Sequence, residues 1–238
     1  MTDPDVLALA KNNLPAEIFF FVLSRFIHMF ARDRFQFKAR GSENLPDEGP
    51  YLLCSNHQSY IDPLLLGSTL PWGIFRNTFA VGTSEIFGAG FMRWLARLLR
   101  VVVVDPDANL VPAMRAGAFG LDHGRILVLY PEGERTNDGN IRIFRKGAAI
   151  LSIHTRAPIV PIAIEGFYDV WPRHKKFPKL GRLEMTIGKP MIPPPVSDAS
   201  EATYERFTAE LKTKVSEMWE DLREKRRRQE PSKENVHG

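Results

Sequence analysis

Short, nearly unbroken apolar runs at residues 51–54, 101–104, 125–130 and 159–164 alternate along this chain with segments of helical periodicity. A strand with one wet face alternates apolar and polar residues, whereas a strand covered on both faces reads as a continuous apolar run. Strands of the second kind pair in parallel, and parallel neighbours need a crossover between them, usually a helix. The runs therefore predict an α/β domain with a mostly parallel central sheet flanked by helices. In such sheets ligands gather at the carboxyl ends of strands, which directs attention to the residues just after each run.

The remaining segments fit that plan. Residues 35–40 read as an edge strand, 79–82 and 183–187 as further strands, and 91–100 as a helix with Arg93, Arg97 and Arg100 on one face. Residues 110–123 read as a helix closed by Gly124, since glycine is a common residue just past a helix end. Another helix is expected at 147–155, a rigid proline-rich linker at 190–195, and a long polar C-terminal helix at 200–228. With 238 residues, the chain is long enough to bury one sizeable core. Its single cysteine, Cys54, lies inside an apolar run and reads as a small core residue, with no disulfide framework to join.

An N-terminal amphipathic helix is expected at 15–35, where Glu17, Ser24, Arg25, His28 and Arg32 fall on a narrow polar stripe. Phenylalanines and aliphatic residues cover the rest of its surface. So wide an apolar face must be buried, either under the domain or in the headgroup boundary of a bilayer. Interrupted at Ser24, Arg25 and His28, it falls short of the roughly 20 apolar residues of a spanning helix, and no transmembrane segment or signal peptide is expected. The net charge of +4 is gathered at the other end, where residues 223–238 hold six Lys/Arg against three Glu. A basic tail without interleaved aromatics or a reading motif gives no reason to expect a nucleic-acid partner.

Two strand ends carry chemistry. After the 51–54 run comes Asn56-His57-Gln58-Ser59-Tyr60-Ile61-Asp62-Pro63. On a continuous helix His57 and Asp62 would point about 140° apart. Pro63 biases Asp62 out of helical geometry and favours a helix start there, so Asp62 is either an N-cap or the acidic member of a capping box begun by Ser59. Both put the carboxylate at the positive end of a helix, within reach of a His57 in the preceding loop. An ionised Asp on one imidazole nitrogen leaves the other free to take a proton, as in a catalytic triad. No nucleophile accompanies the pair, for neither Ser55 nor Ser59 sits in a Gly-x-Ser-x-Gly elbow. No further His or Cys lies at ligand spacing, so no metal is expected. After the 125–130 run comes Pro131-Glu132-Gly133-Glu134-Arg135, followed by Arg142, Arg145 and Lys146. Gly133 permits a sharp turn, and Arg135 offers a bidentate fork for phosphate or carboxylate.

Together these residues resemble the glycerophospholipid acyltransferase superfamily, the PlsC-like 1-acylglycerol-3-phosphate acyltransferases. His57 and Asp62 match its His-x4-Asp motif, residues 131–135 its Pro-Glu-Gly-Thr-Arg block, Phe144-Arg145-Lys146-Gly147 the continuation of that block, and 160–164 its proline-containing strand. The resemblance implies an acyltransferase catalytic domain at 35–195, a membrane-docking helix in 1–34, and a C-terminal helix and basic tail at 196–238. It implies that His57 deprotonates the hydroxyl of a lysophospholipid, which attacks an acyl thioester, with Asp62 orienting the ring. Glu132, Gly133, Arg135 and Lys146 would form the acceptor pocket. Acyl-CoA or acyl-carrier protein would be co-substrate, with no cofactor, at the cytoplasmic face of a membrane as a peripheral protein. Two departures bear on the acceptor: Glu134 replaces the usual Thr, and Val104 is followed by Asp105-Pro106 where the family's second block normally has an Arg after its apolar strand. Both lower the positive charge available to a phosphate, which brings in a zwitterionic acceptor such as lysophosphatidylethanolamine. An esterase or thioesterase using the same pair on water is one alternative. A membrane-binding module with a vestigial site, which the intact His57, Asp62, Glu132 and Arg135 speak against, is another.

Overall fold

In the computed structural model, which describes residues 4–83, 89–104 and 111–229, seven strands form one sheet: β1 (Lys38–Arg40), β2 (Tyr51–Ser55), β3 (Thr78–Thr83), β4 (Val101–Val104), β5 (Ile126–Leu129), β6 (Ile159–Glu165) and β7 (Glu184–Ile187). Their order is β1-β7-β6-β2-β5-β3-β4. Every adjacent pair is parallel except β6 with β7. The longer helices are α1 (Leu14–Arg34), α2 (Asp62–Thr69), α3 (Gly90–Leu98), α4 (Val111–Asp122), α5 (Gly147–Thr155) and α6 (Glu201–Gln229). The expected mostly parallel sheet, N-terminal helix and long C-terminal helix are all present. Single turns at Trp72–Phe75 and Phe167–Val170 were not expected, being too short to show a period. Asp105-Pro106, the first residue of the expected 110–123 helix, and the tail from 230 lie outside the described residues.

Both faces of the sheet are covered, for the reason its strands read as apolar runs. Side chains alternate along β2: Leu52 and Cys54 join a layer with Ala148 and Leu151 of α5 and Phe207 and Leu211 of α6. Tyr51 and Leu53 join the opposite layer with Leu65 and Leu66 of α2 and Ala31 of α1. Cys54 is fully buried and burial pushes its thiol up, as befits a core residue.

Helix α4 sits close on the sheet through Gly120, where an added Cβ would lie 2.3 Å from the Phe79 ring. That ring is itself buried in the core, so it has little room to retreat. Gly120→Ala is expected to cost about 2 kcal/mol and lower Tm by roughly 4–8 °C in a thermal melt. Gly73→Ala, where nothing lies within 4 Å, serves as the neutral control.

Helix α1 lies with its polar stripe turned inward. Glu17 and Ser24 are buried, while Phe19, Phe26, Met29 and Phe30 are each about 60% exposed. Glu17 pairs with Arg76 at 3.2 Å and with Arg100. Arg25 donates to the carbonyls of Ser68 and Leu70, and His28 Nδ1 lies 3.2 Å from Ser68 Oγ. The stripe thus docks α1 onto the end of α2, and of the two burials open to its apolar face, the domain supplies little. Arg100 was expected on the α3 face with Arg93 and Arg97. Instead α3 stops at Leu98, and Arg100 takes a left-handed φ of 52° and turns to Glu17. The segment was expected to fall short of a spanning length, but α1 runs to 21 residues and by length and composition is apolar enough to cross a membrane.

Candidate active site

The loop after β2 and the loop after β5 meet at the carboxyl edge of the sheet, because β2 and β5 are parallel neighbours. His57 Nδ1 is 2.7 Å from Asp62 Oδ2. The same oxygen accepts the Gln58 N–H at 2.6 Å and the Ser59 N–H at 2.8 Å. Helix α2 begins at Asp62 with Ile61 as its N-cap and no side-chain cap, so Asp62 is neither the N-cap nor the member of a Ser59 capping box that was expected. The Ser59 hydroxyl instead donates to the Trp171 carbonyl at 2.7 Å. Because a carboxylate can only accept, Nδ1 carries the ring proton and Nε2 remains the acceptor. Side-chain exposure is 18% for His57 and 2% for Asp62, so the imidazole can be reached from outside and the carboxylate cannot. Burial pushes the Asp62 carboxyl up, against His57 and the two backbone N–H groups.

The second loop holds the first by its backbone. Glu132, buried at the end of the β5 run, accepts the His57 N–H at 2.8 Å on one oxygen and the Arg142 N–H at 3.0 Å on the other. The Thr136 N–H donates to the His57 carbonyl at 2.9 Å, so the His57 peptide is gripped on both sides. Burial raises the Glu132 carboxyl, and these backbone donors work against the rise. Gly133, at φ 78°, brings the turn so near Arg145 that a Cβ would stand 2.9 Å from its Nε. Glutamate 132 therefore acts on the shape of the site through the loop.

Arg135 stacks over the Tyr60 ring at 3.3 Å from its centroid, and its buried Nη1 has no hydrogen-bond partner. A guanidinium nitrogen left without a partner can donate a hydrogen bond to an anion's oxygens. Glu134 is held by Arg142 at 2.9 Å and Arg173 at 3.4 Å, so its charge is balanced locally. Lysine 146 is the one proposed site residue the structure does not bring to this group. It starts α5 and turns to α6, where its ammonium pairs with Glu201 and with Glu205 at 3.0 Å.

Several supporting groups had no signal in the sequence. Tyr130 stacks on the His57 ring at 4.0 Å between centroids and 19° between planes. The Gln58 carbonyl oxygen accepts the Phe167 and Tyr168 N–H groups, and its amide donates to Gly139 O and Glu165. Asn56 pairs with both backbone groups of Ile164 on β6. The Ser55 hydroxyl donates to the Asn56 carbonyl at 3.0 Å. With Ser59 on Trp171, both nearby serines are therefore bonded to backbone and neither lies against the imidazole.

The family model described as Acyltransferase matches residues 36–165, more than half of the chain. The chain is similar to a protein named 1-acyl-sn-glycerol-3-phosphate acyltransferase alpha from Mus musculus, 27% identical over 159 residues, 65% of this chain and 54% of that one. It is also similar to a 1-acyl-sn-glycerol-3-phosphate acyltransferase from Pseudomonas aeruginosa, 28% identical over 161 residues, covering 66% of this chain and 59% of the other. The chain spans a little over half the length of these relatives. Among solved structures it is similar to the 1-acyl-sn-glycerophosphate acyltransferase PlsC from Thermotoga maritima, with a TM-score of 0.64, 25% identity, and coverage of 82% of this chain and 79% of that chain.

Proposed function

The chain belongs to the acyltransferase family, and from that membership we propose that it moves a fatty acyl group from a thioester, acyl-CoA or acyl-carrier protein, to the free hydroxyl of a lysophospholipid such as 1-acylglycerol-3-phosphate. His57 Nε2 takes the hydroxyl proton as the oxygen bonds to the thioester carbonyl carbon. Collapse of the tetrahedral adduct breaks the C–S bond, and the imidazolium returns its proton to the departing thiolate. Asp62 holds the ring and stabilises its charged form. Arg135 receives the acceptor phosphate, and Glu132 and Gly133 keep the loop in shape. One observation carries this reading: a reachable, carboxylate-oriented imidazole stands beside serines already bonded to backbone carbonyls. A base without a protein nucleophile acts on the hydroxyl of its substrate.

The phosphate monoester is favoured over the zwitterion because the charge of Glu134 is balanced by Arg142 and Arg173. With labelled acyl-CoA, 1-acylglycerol-3-phosphate is expected to react at least about tenfold faster than lysophosphatidylethanolamine, the scale of one charge-assisted contact. Thin-layer separation of the products reads both rates. Equal rates would remove the phosphate preference, and free fatty acid made without any acceptor would favour the hydrolase.

Docking on the bilayer that holds the acceptor falls to α1. Its aromatic face is open, and its polar stripe is tied to the domain by Glu17, Arg25 and His28. Pulling those groups into hydrocarbon would break their contacts at a cost of several kcal/mol, so the helix lies in the interface and does not span it.

A further inference from the structure

Between the single helical turn at Phe167–Val170 and β7 the chain runs Trp171-Pro172-Arg173-His174-Lys175-Lys176-Phe177-Pro178-Lys179-Leu180-Gly181-Arg182, with five Lys/Arg and no acid. Every residue from 173 to 180 is exposed, and the apolar Phe177 and Leu180 stand out at 74% and 67%. Apart from the Lys176 ammonium 5.7 Å from the Phe177 ring centroid, these two side chains stand largely in water. At a negatively charged lipid surface both kinds of side chain are stabilised, the rings and alkyl groups among acyl chains and the ammoniums among phosphates.

The anchorage of this loop sets where it works. At its start the Trp171 carbonyl accepts the Ser59 hydroxyl, and the Trp171 ring lies 6.4 Å from that of Tyr60, on which Arg135 stacks. At its end the Leu183 N–H bonds to the carbonyl of Phe35, the C-cap of α1, at 3.1 Å. It therefore bridges the mouth of the candidate site and the end of the apolar helix. Beneath it is a cavity of about 390 Å³ whose walls include Val170, Pro172 and Phe177 with His174, Lys175 and Lys179. Asp169 also borders this cavity, but it is paired with Arg226 at 2.6 Å. Arg173 is engaged with Glu134 and Arg182 is half-buried just before β7, so the exposed Lys175, Lys176 and Lys179 are the charges to test.

We infer that the loop at 171–182 is a second membrane contact, selective for anionic lipid, that presses the mouth of the site against the leaflet. This rests on the docking of α1 proposed above and adds a headgroup preference that α1 alone does not supply. The apolar tips and the continuity with α1 favour a bilayer over an acidic protein as the occupant.

Partitioning of the full chain onto phosphatidylcholine vesicles, with and without phosphatidylglycerol, tests it. The triple variant Lys175→Gln, Lys176→Gln, Lys179→Gln is expected to lose about 100-fold in partitioning onto the anionic vesicles, at roughly fivefold per basic group. Its binding to neutral vesicles and its activity on a water-soluble short-chain acceptor are expected to stay unchanged. Anionic-vesicle binding equal to wild type would overturn the inference. So would a triple variant whose only defect is weaker use of acyl-carrier protein, which would make the loop a protein-docking site. Phe19→Ser, Phe26→Ser, Phe30→Ser, by contrast, is expected to abolish neutral-vesicle binding. Failure of that arm alone would overturn the docking of α1, and loss of lipid selectivity in the lysine variant alone would report on the loop, so the two failures are told apart.

Discussion

Replacing His57 by Ala is expected to lower kcat by about 10³–10⁴, the upper range for a general base, with KM for the acceptor changed less than about threefold. Loss of chemistry can be told from loss of fold here, because the contacts that hold the loop use the His57 backbone. Its N–H stays on Glu132 and its carbonyl on Thr136 in the variant. Asp62 keeps the Gln58 and Ser59 N–H donors, so the buried carboxylate is not left bare. Circular dichroism and Tm should therefore match wild type closely. A variant within tenfold of wild-type kcat would remove His57 as the base.

The second large effect is expected at Arg135. Charge-assisted hydrogen bonds to a phosphate are worth roughly 1.5–3 kcal/mol each, so Arg135→Ala should cut kcat/KM for 1-acylglycerol-3-phosphate by about 100-fold. Arg135→Lys should recover only part of this, since an ammonium has neither the planar fork nor the flat face that stacks on Tyr60. The discriminating measurement uses monoacylglycerol as an acceptor without phosphate. If Arg135 reads the phosphate, wild type and Arg135→Ala acylate it at similar rates. An equal loss on both acceptors would make the side chain a structural prop for Tyr60.

The sheet was legible because double coverage leaves its mark on each strand: 51–54 and 159–164 could be nothing but buried. The His57–Asp62 pair was legible because Pro63 marks a helix start. Other features depend on direction, which spacing does not encode. The stripe of Glu17, Ser24 and Arg25 identifies two faces of α1, but which one meets the domain depends on Arg76, Arg100 and Ser68, all distant in sequence. Lys146 follows the second motif in the chain, yet the start of α5 aims it at Glu201 and Glu205. Arg100 falls off the expected face because the helix ends two residues early, at Leu98, and the chain then turns through a left-handed φ. The basic loop at 171–182 escaped notice because net charge was weighed over long stretches, which averages a local excess with acids elsewhere.

The grip of Glu132 and Thr136 on the His57 peptide has a consequence for how such proteins can be altered. The His57 ring and the turn at 131–136 hang on one set of backbone bonds, so exchanging either loop alone is expected to displace the other. A chimaera that imports residues 131–142 from a relative must import 56–62 with them, as one cassette. New acceptor preferences are then reached more easily through side chains that leave this frame, such as Glu134 and its partners, which can vary without disturbing the bonds that locate the ring.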